Sequence, residues 1–442
     1  ILVGFWIYRL AWLVSANLSK MVVKSIHQFP STSSLSSVES HTWAQWFDGL
    51  AKSLGYESVY HHAVIIDAGS SGTRVLAYKF RANLDLVDEF WQETKPGLSS
   101  YVDDPEKGAA SVLRLVRQAA RVVPAARRGD TPLLVRATAG LRLLPPTKAQ
   151  LLIDEVSKAI AKSVLMYIIV EIMEGSDEGI FIWYTVNLLH NLIGGETMAA
   201  LDLGGGSTQV TYQISEEDKK LYPPEDQYTV PAASSNKMQL ITVFIFRFSY
   251  LKLGLLAARY GIFRLEANDN NTNEFVSVCV DPIVQKEKWT YANKQYIISG
   301  AARPDGAKRE AVFARCHGAA RRHVARTAGP LPPGAASGAV AAMGYLFDVA
   351  ADAGLIDVMR GGSVSPAQYR AAALRACSAS NVEQPWACVD LVYVLTLLQD
   401  VYKIRDAEPI SLYKKLNGHE VSWALGLAYT TIMNRITSEA AA

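Results

Sequence analysis

Two aspartates in this chain end apolar runs and are followed by small residues. Asp67 sits in VIIDAGSSGTRV, and Asp202 sits in ALDLGGGSTQV. Glycine lets backbone N–H groups approach a ligand without obstruction by a Cβ. A row of such N–H groups forms a nest for anions, and the hydroxyls of Ser70, Ser71, Thr73 and Ser207 add donors beside it. Phosphate oxygens suit such a loop, but a carboxylate at the strand end repels them. A hydrated divalent cation, Ca²⁺ or Mg²⁺, between carboxylate and phosphate resolves that conflict. Either loop alone reads equally well as a tight β-turn. Used twice, DAGSSGT (67–73) and DLGGGST (202–208) predict two related domains, each offering a phosphate loop to a central cleft. There is no GxxxxGK[ST], and neither loop is a GxGxxG opening a helix, so neither nucleotide fingerprint applies.

A third small-residue loop, RATAGLR (136–142), follows another apolar run and adds Thr138 as a further phosphate contact, with an ordinary strand-to-helix connection as the plain alternative. Phosphate hydrolysis also needs a water, oriented and deprotonated by a carboxylate within reach. EGSDEG (174–179) supplies three acids, and Glu178 is the candidate base. Glu174 and Asp177 read as well as first-turn acids favoured by a helix dipole, and on residue type alone Glu178 does too.

The elements that must hold these residues follow from periodicity. AVIIDAG, VLAYKF and VDEFWQE alternate like the strands of a meander. Residues 106–123 and 147–162 have apolar positions at helical spacing. LMYIIVEIM reads as a buried strand leading to a helix after Gly179. TMAALDLGGGSTQVTYQI then repeats the opening grammar of strand, loop and strand. LGLLAARY, 366–377 and 386–402 are helical, and EVSWALGLAYTTIMNRI ends the chain as a turn or strand and a helix. Residues 215–240 read as an irregular loop. Residues 301–344, rich in Ala, Gly, Pro and Arg, carry no pattern that demands an element.

The 442 residues exceed one ordinary core and imply two domains. Net charge is +2, from 44 basic and 42 acidic residues, which gives no footprint for nucleic acid. The cysteines Cys279, Cys316, Cys377 and Cys388 form no CxxC pair. Their even number fits two sequence-local disulfides, Cys279–Cys316 and Cys377–Cys388, in an oxidising compartment; four buried thiols are the alternative. ILVGFWIYRLAWLVSA at the start reads as part of a signal peptide or signal anchor. It is shorter than a full membrane span and Arg9 interrupts it, so the alternative is a leader with no targeting role. The triplets beginning at Asn17 and Asn270 are compatible with glycosylation on a secretory route.

These motifs together resemble the apyrases, the nucleoside triphosphate diphosphohydrolases, with plant apyrases looking closest. VIIDAGSSGTRV, RATAGLRLL, IMEGSDEGIFIW, LDLGGGSTQ and VSWALG fall in the family's order. KPGLSSYVDDPEKGA, GLLAAR and CVDLVY extend the similarity over roughly residues 62–430. The chain departs near 230–250 and 320–345. The second of these, ARTAGPLPPGAASGAVAA, lacks a cysteine of the plant relatives and so implies no third disulfide.

The resemblance implies an α/β, two-domain actin-like fold of the sugar-kinase and heat-shock-chaperone type. Its expected divisions are an N-terminal leader and linker (1–60), a first domain (61–175), a second (176–415) and a C-terminal segment returning to the first (416–442). It implies Asp67 and Asp202 as organisers of the cation through water. Ser70, Ser71, Gly72, Thr73 and Arg74 line one phosphate loop, Gly204, Gly205 and Gly206 the other, and Thr138 and Ala139 contribute. Glu178 is implied as general base, with Ser207 and Gln209 positioning the water. Tyr345, Phe347 and Trp423 are candidates for the nucleobase. The implied reaction is stepwise hydrolysis of nucleoside tri- and diphosphates to monophosphate, without a phosphoenzyme, in the secretory pathway (Golgi lumen, membrane-anchored or extracellular). An actin- or chaperone-like nucleotide binder and an exopolyphosphatase-like phosphatase share the paired loops. The 174–183 block with Ser207 and Gln209 favours the nucleotide hydrolase over both.

Overall fold

VIIDA is buried on both sides, and this sets the first sheet. In the computed structural model, which describes residues 60–161, 163, 165–234, 237–267, 271–303, 309–329 and 338–441, this run is the end of strand β1, Tyr60–Ala68. Antiparallel β2 (Thr73–Arg81) and β3 (Leu86–Thr94) follow, then β4 (Pro132–Ala137) and β5 (Met166–Ile172), parallel to β1 in the order β3-β2-β1-β4-β5. Helices fill both faces, so the central strand is a continuous apolar run instead of an alternating one. Val64, Ile66 and Ala68 pack with helices α1 (Pro105–Val122), α2 (Ala139–Arg142) and α3 (Pro146–Ile160). Ala63 and Ile65 face helix α4 (Gly175–Leu189) and its neighbour, the C-terminal helix Trp423–Ala441.

The second sheet repeats this plan. β6 (Ala199–Leu203), β7 (Ser207–Gln213) and β9 (Lys237–Leu251) form an antiparallel meander, with β8 (Gln227–Ser234) on its outer edge. Three strands, β10 (Glu274–Ser277), β11 (Glu287–Tyr291) and β12 (Lys294–Gly300), form a separate small sheet. β13 (Val340–Gly344) then lies parallel to β6, β15 (Ile410–Leu412) parallel to β13, and β14 (Gly362–Val364) outside β15. The core order β9-β7-β6-β13-β15 is the order β3-β2-β1-β4-β5 used again, which is the actin-like duplication implied by the paired loops. A short hairpin, β16 (Lys415–Leu416) and β17 (His419–Glu420), precedes the last helix.

Two expectations are corrected. Residues 215–240 are not a plain loop, since β8 and the start of β9 lie there and their pairing extends the second sheet. Residues 301–344 contain helix α6, Arg309–Thr327, after α5 (Leu255–Glu266). Its buried face is Val312, Cys316, Ala319, Ala320, His323 and Val324. That spacing is helical, but small residues and a histidine make a faint apolar stripe. The helix expected after Gly179 starts one turn earlier, at Gly175.

Both expected disulfides form. Cys279 joins β10's trailing turn to α6, and Cys377 joins α8 (Pro366–Ser378) to α9 (Ala387–Thr396), which follow α7 (Tyr345–Asp352). The bridges close loops of 37 and 11 residues, so each restricts the unfolded chain by about 3–4 kcal/mol. Replacing both cysteines of either pair by serine lowers the denaturation midpoint, the 37-residue bridge by more. Urea titration of the two variants checks the order. Among the described residues no helix is long and apolar enough to cross a membrane. The N-terminal apolar run and both sequon asparagines, Asn17 and Asn270, lie outside the described residues.

Candidate active site

The two Asp-containing loops occupy equivalent places in their sheets. Asp67 pairs with Arg74 across β1 and β2, and Asp202 pairs with Gln209 across β6 and β7. Gly69–Gly72 and Gly204–Gly206 make the turns. The turns face each other closely: a Cβ on Gly205 would stand 2.8 Å from Ser70 Oγ. The third loop wedges beside them, where a Cβ on Gly140 would stand 2.9 Å from Ser70 Cα. Strand ends thus bring three small-residue loops to one point, and only small residues permit that approach. They border a cleft of about 680 Å³.

Glu178 enters this cleft from the first turn of α4, where the helix dipole favours an acid. It is buried, 7% exposed, and it is not alone. Arg142 Nη2 donates to Glu178 Oε2 at 2.8 Å and to Ser207 Oγ at 3.1 Å, while its Nη1 donates to the Met173 carbonyl at 3.1 Å. Gln209 Nε2 donates to Ser207 Oγ at 2.9 Å, Ser249 Oγ at 3.0 Å and Glu178 Oε2 at 3.2 Å. Burial pushes the Glu178 carboxyl above the usual glutamate range, and the Arg142 guanidinium pulls it back part of the way. A carboxylate made more basic by burial, with its rotamer fixed by two neighbours, is suited to take a proton from water.

The cation's expected partners fit it. Asp67 and Asp202 both reach the cleft, and Asp67 Oδ1 is buried with no hydrogen-bond partner among the described residues. Carboxylate oxygens are the hard donors that Ca²⁺ and Mg²⁺ prefer. Among the described residues no group of three or more His, Cys, Asp or Glu side chains is placed to hold an ion directly. Two carboxylates supplemented by water and substrate oxygens suit a cation bound in this way.

Burial holds both aspartates up at about 7; Arg74 opposes the shift at Asp67, and Glu178 adds to it at both. The folded protein therefore binds more protons than the unfolded chain between about pH 4 and 7, and cation-free stability falls as pH rises through that window. Replacing both by asparagine removes this penalty. With a chelator present, the double variant melts a few degrees (~2–5 °C) above the parent at pH 8, and the gap shrinks to less than half of that at pH 5. Thermal melts at the two pH values check this.

The structure brings most of the expected residues together. Asp67, Ser70, Ser71, Arg74, Thr138, Ala139, Glu178, Asp202, Gly204, Gly205, Gly206 and Ser207 line the cleft. Gln209 sits just behind it, through its bonds to Glu178 and Ser207. Gly72 and Thr73 are not part of the lining: Gly72 backs onto Glu93 and Thr73 is fully buried. Arg74 is shared between Asp67 at 3.6 Å and Glu93 at 3.1 Å. The three aromatics also line the cleft: Tyr345 is half-buried, whereas Phe347 and Trp423 are 3% and 4% exposed, with most of each ring packed in the cores. Arg142 and Ser249 were not singled out by sequence reasoning. Arg142 lay in the quoted RATAGLR loop, and its position one turn after Thr138 was its only signal.

Comparison with known proteins agrees with this geometry. Residues 55–319 match the GDA1/CD39 (nucleoside phosphatase) family. The chain is 34% identical over 416 residues to the human nucleoside diphosphate phosphatase ENTPD5, covering 89% of this chain and 94% of that one. It is 33% identical over 406 residues to the nucleoside-diphosphatase uda-1 of Caenorhabditis elegans, covering 83% and 81%. Among solved structures, a nucleoside triphosphate hydrolase from Neospora caninum superposes with a TM-score of 0.60 at 13% identity, over 90% of this chain and 98% of that one, a likeness of fold. The match spans the paired loops, the Thr138 loop and the Glu178 helix alike, and the chain belongs to the GDA1/CD39 (nucleoside phosphatase) family.

Proposed function

We propose that the cleft hydrolyses the terminal phosphoanhydride of nucleoside di- and triphosphates. The observation that carries this reading is the buried network of Glu178, Ser207, Gln209 and Arg142 at the point where the phosphate loops meet. A water held by Glu178, Ser207 and Gln209 attacks the terminal phosphorus in line. Its proton passes to Glu178, the bond from phosphorus to the bridging oxygen breaks, and the shortened nucleotide leaves with that oxygen. Backbone N–H groups of Ser70, Ser71 and Gly204–Gly206 and the hydroxyl of Thr138 hold the phosphoryl oxygens as charge shifts among them. A Ca²⁺ or Mg²⁺ ion organised by Asp67 and Asp202 supplies charge neutralisation when bound. A triphosphate treated twice yields a monophosphate and two phosphates.

Of the three aromatics that border the cleft, Tyr345 offers the nucleobase the most accessible ring, since Phe347 and Trp423 are mostly packed in the cores. Beside the cleft lies a second cavity of about 690 Å³, walled by Trp386 and by Arg259, whose guanidinium is fixed by Asp390 at 3.1 and 2.6 Å. An aromatic and cationic wall suits a base, and a polyphosphate chain has no use for it. The two disulfides suit a secretory-pathway compartment, where such bonds persist.

The test is phosphate release by the purified protein from ATP, ADP, UDP, GDP and inorganic polyphosphate, with Ca²⁺, Mg²⁺ or chelator. Cation-dependent release from nucleotides is expected. Release from polyphosphate alone, or tight nucleotide binding without turnover, overturns the reading.

A further inference from the structure

We propose that Asp348 reads the ribose of the substrate, accepting hydrogen bonds from its 2′- and 3′-hydroxyls, and so selects ribonucleotides over deoxy analogues. The inference rests on the nucleotide reading above and names the sugar that the site recognises.

Among the described residues only Tyr345 and Asp348 line both the phosphate cleft and the neighbouring cavity. They are three apart in the first turn of α7, so they lie on one helix face. A nucleotide with its terminal phosphate at Glu178 and its base in the neighbouring cavity must thread its sugar past this pair. Tyr345 offers a ring and one hydroxyl. Asp348 offers two acceptor oxygens, and vicinal hydroxyls are two adjacent donors.

The surrounding charges leave Asp348 available. In the neighbouring cavity Arg259 is committed to Asp390, and Arg303 to Asp281 at 2.7 Å. In the cleft Arg74 is committed to Asp67 and Glu93. Asp348 makes no hydrogen bond or ion pair with another described residue. Lys414 and Arg74 on the cleft side and Asp352 on its own helix act on it through space, and burial holds its carboxyl somewhat above the usual range. A half-buried carboxylate with unspent acceptors gains from hydroxyl donors. A site built to bond a hydroxyl discriminates steeply against a ligand that lacks it.

The experiment compares kcat/KM for UDP and 2′,3′-dideoxy-UDP in the parent protein and in Asp348→Ala. The parent is expected to favour UDP by about 30-fold or more. Asp348→Ala reduces that preference to within about threefold, by lowering the value for UDP and leaving that for the dideoxy compound nearly unchanged. A parent that does not discriminate overturns the proposal without recourse to any variant. So does an Asp348→Ala protein that keeps the parent's ratio. Absence of turnover with every nucleotide instead sinks the hydrolase reading itself, an outcome distinct from turnover without discrimination.

Discussion

Glu178→Gln lowers kcat by about 10³-fold, with little change in KM. Glutamine keeps the shape of the side chain and one acceptor oxygen, so the water can still be bound, but the proton has nowhere to go. The stability cost is expected to be small because two terms oppose. Arg142 loses its charged partner at 2.8 Å, which destabilises. The protein is also relieved of burying a carboxylate whose ionisation burial already disfavours. The pH dependence separates chemistry from structure. The base works only when ionised, so the parent's rate falls as pH drops through the raised Glu178 pKa. In the glutamine variant that acid limb is lost from the residual rate. Equal losses in the parent and the variant at every pH would show that Glu178 is not the base. Stopped-time phosphate release from pH 5 to 9, with melting curves alongside, makes the measurement.

Much of this site was legible because its signals are local. A loop that approaches phosphate must be small, and an acid at the strand end must sit at a fixed offset. DAGSSGT and DLGGGST therefore record the duplication of the fold in a few letters each. Disulfide pairing was legible for the same reason, since each partner was the next cysteine along the chain. Long-range features were not. Arg142 reaches Glu178 across 36 positions and Ser207 across 65, and nothing near it in sequence announces either partner. Arg259 and Asp390 meet across 131. The aromatics differ among themselves. Tyr345, Phe347 and Trp423 all border the cleft, but Phe347 and Trp423 are almost wholly packed in the cores, while Tyr345, two positions before Phe347 on the same helix, is half-buried and borders both cavities. A residue's type announces what it can bind, but its face on the helix decides what it meets. Helix α6 escaped for want of large side chains, since its buried stripe is Ala, Cys and His as much as Val.

Arg142→Ala lowers kcat/KM by about 10²-fold or more, although its observed contacts are with the protein. Its guanidinium ties together three things the reaction needs in register: the base Glu178, the hydroxyl of Ser207, and the Met173 carbonyl that leads into the base's helix. Without it Glu178 loses a hydrogen bond at 2.8 Å and its nearest positive charge. Burial remains, so the carboxyl rises further and spends more of its time protonated near neutral pH. Two consequences follow, and they are separable. The acid limb of the pH–rate profile moves to higher pH, which a merely structural defect does not produce. Part of the lost rate returns above that limb, and what remains lost measures positioning. Arg142→Lys restores charge but not the fork that reaches Glu178 and Met173 together, so it recovers the pH profile more fully than the rate. An Arg142→Ala protein with the parent's acid limb and a reduced rate at every pH would assign the arginine to scaffolding alone. A lysine variant as slow as alanine, with its acid limb back in place, would show that geometry outweighs charge in preparing this carboxylate.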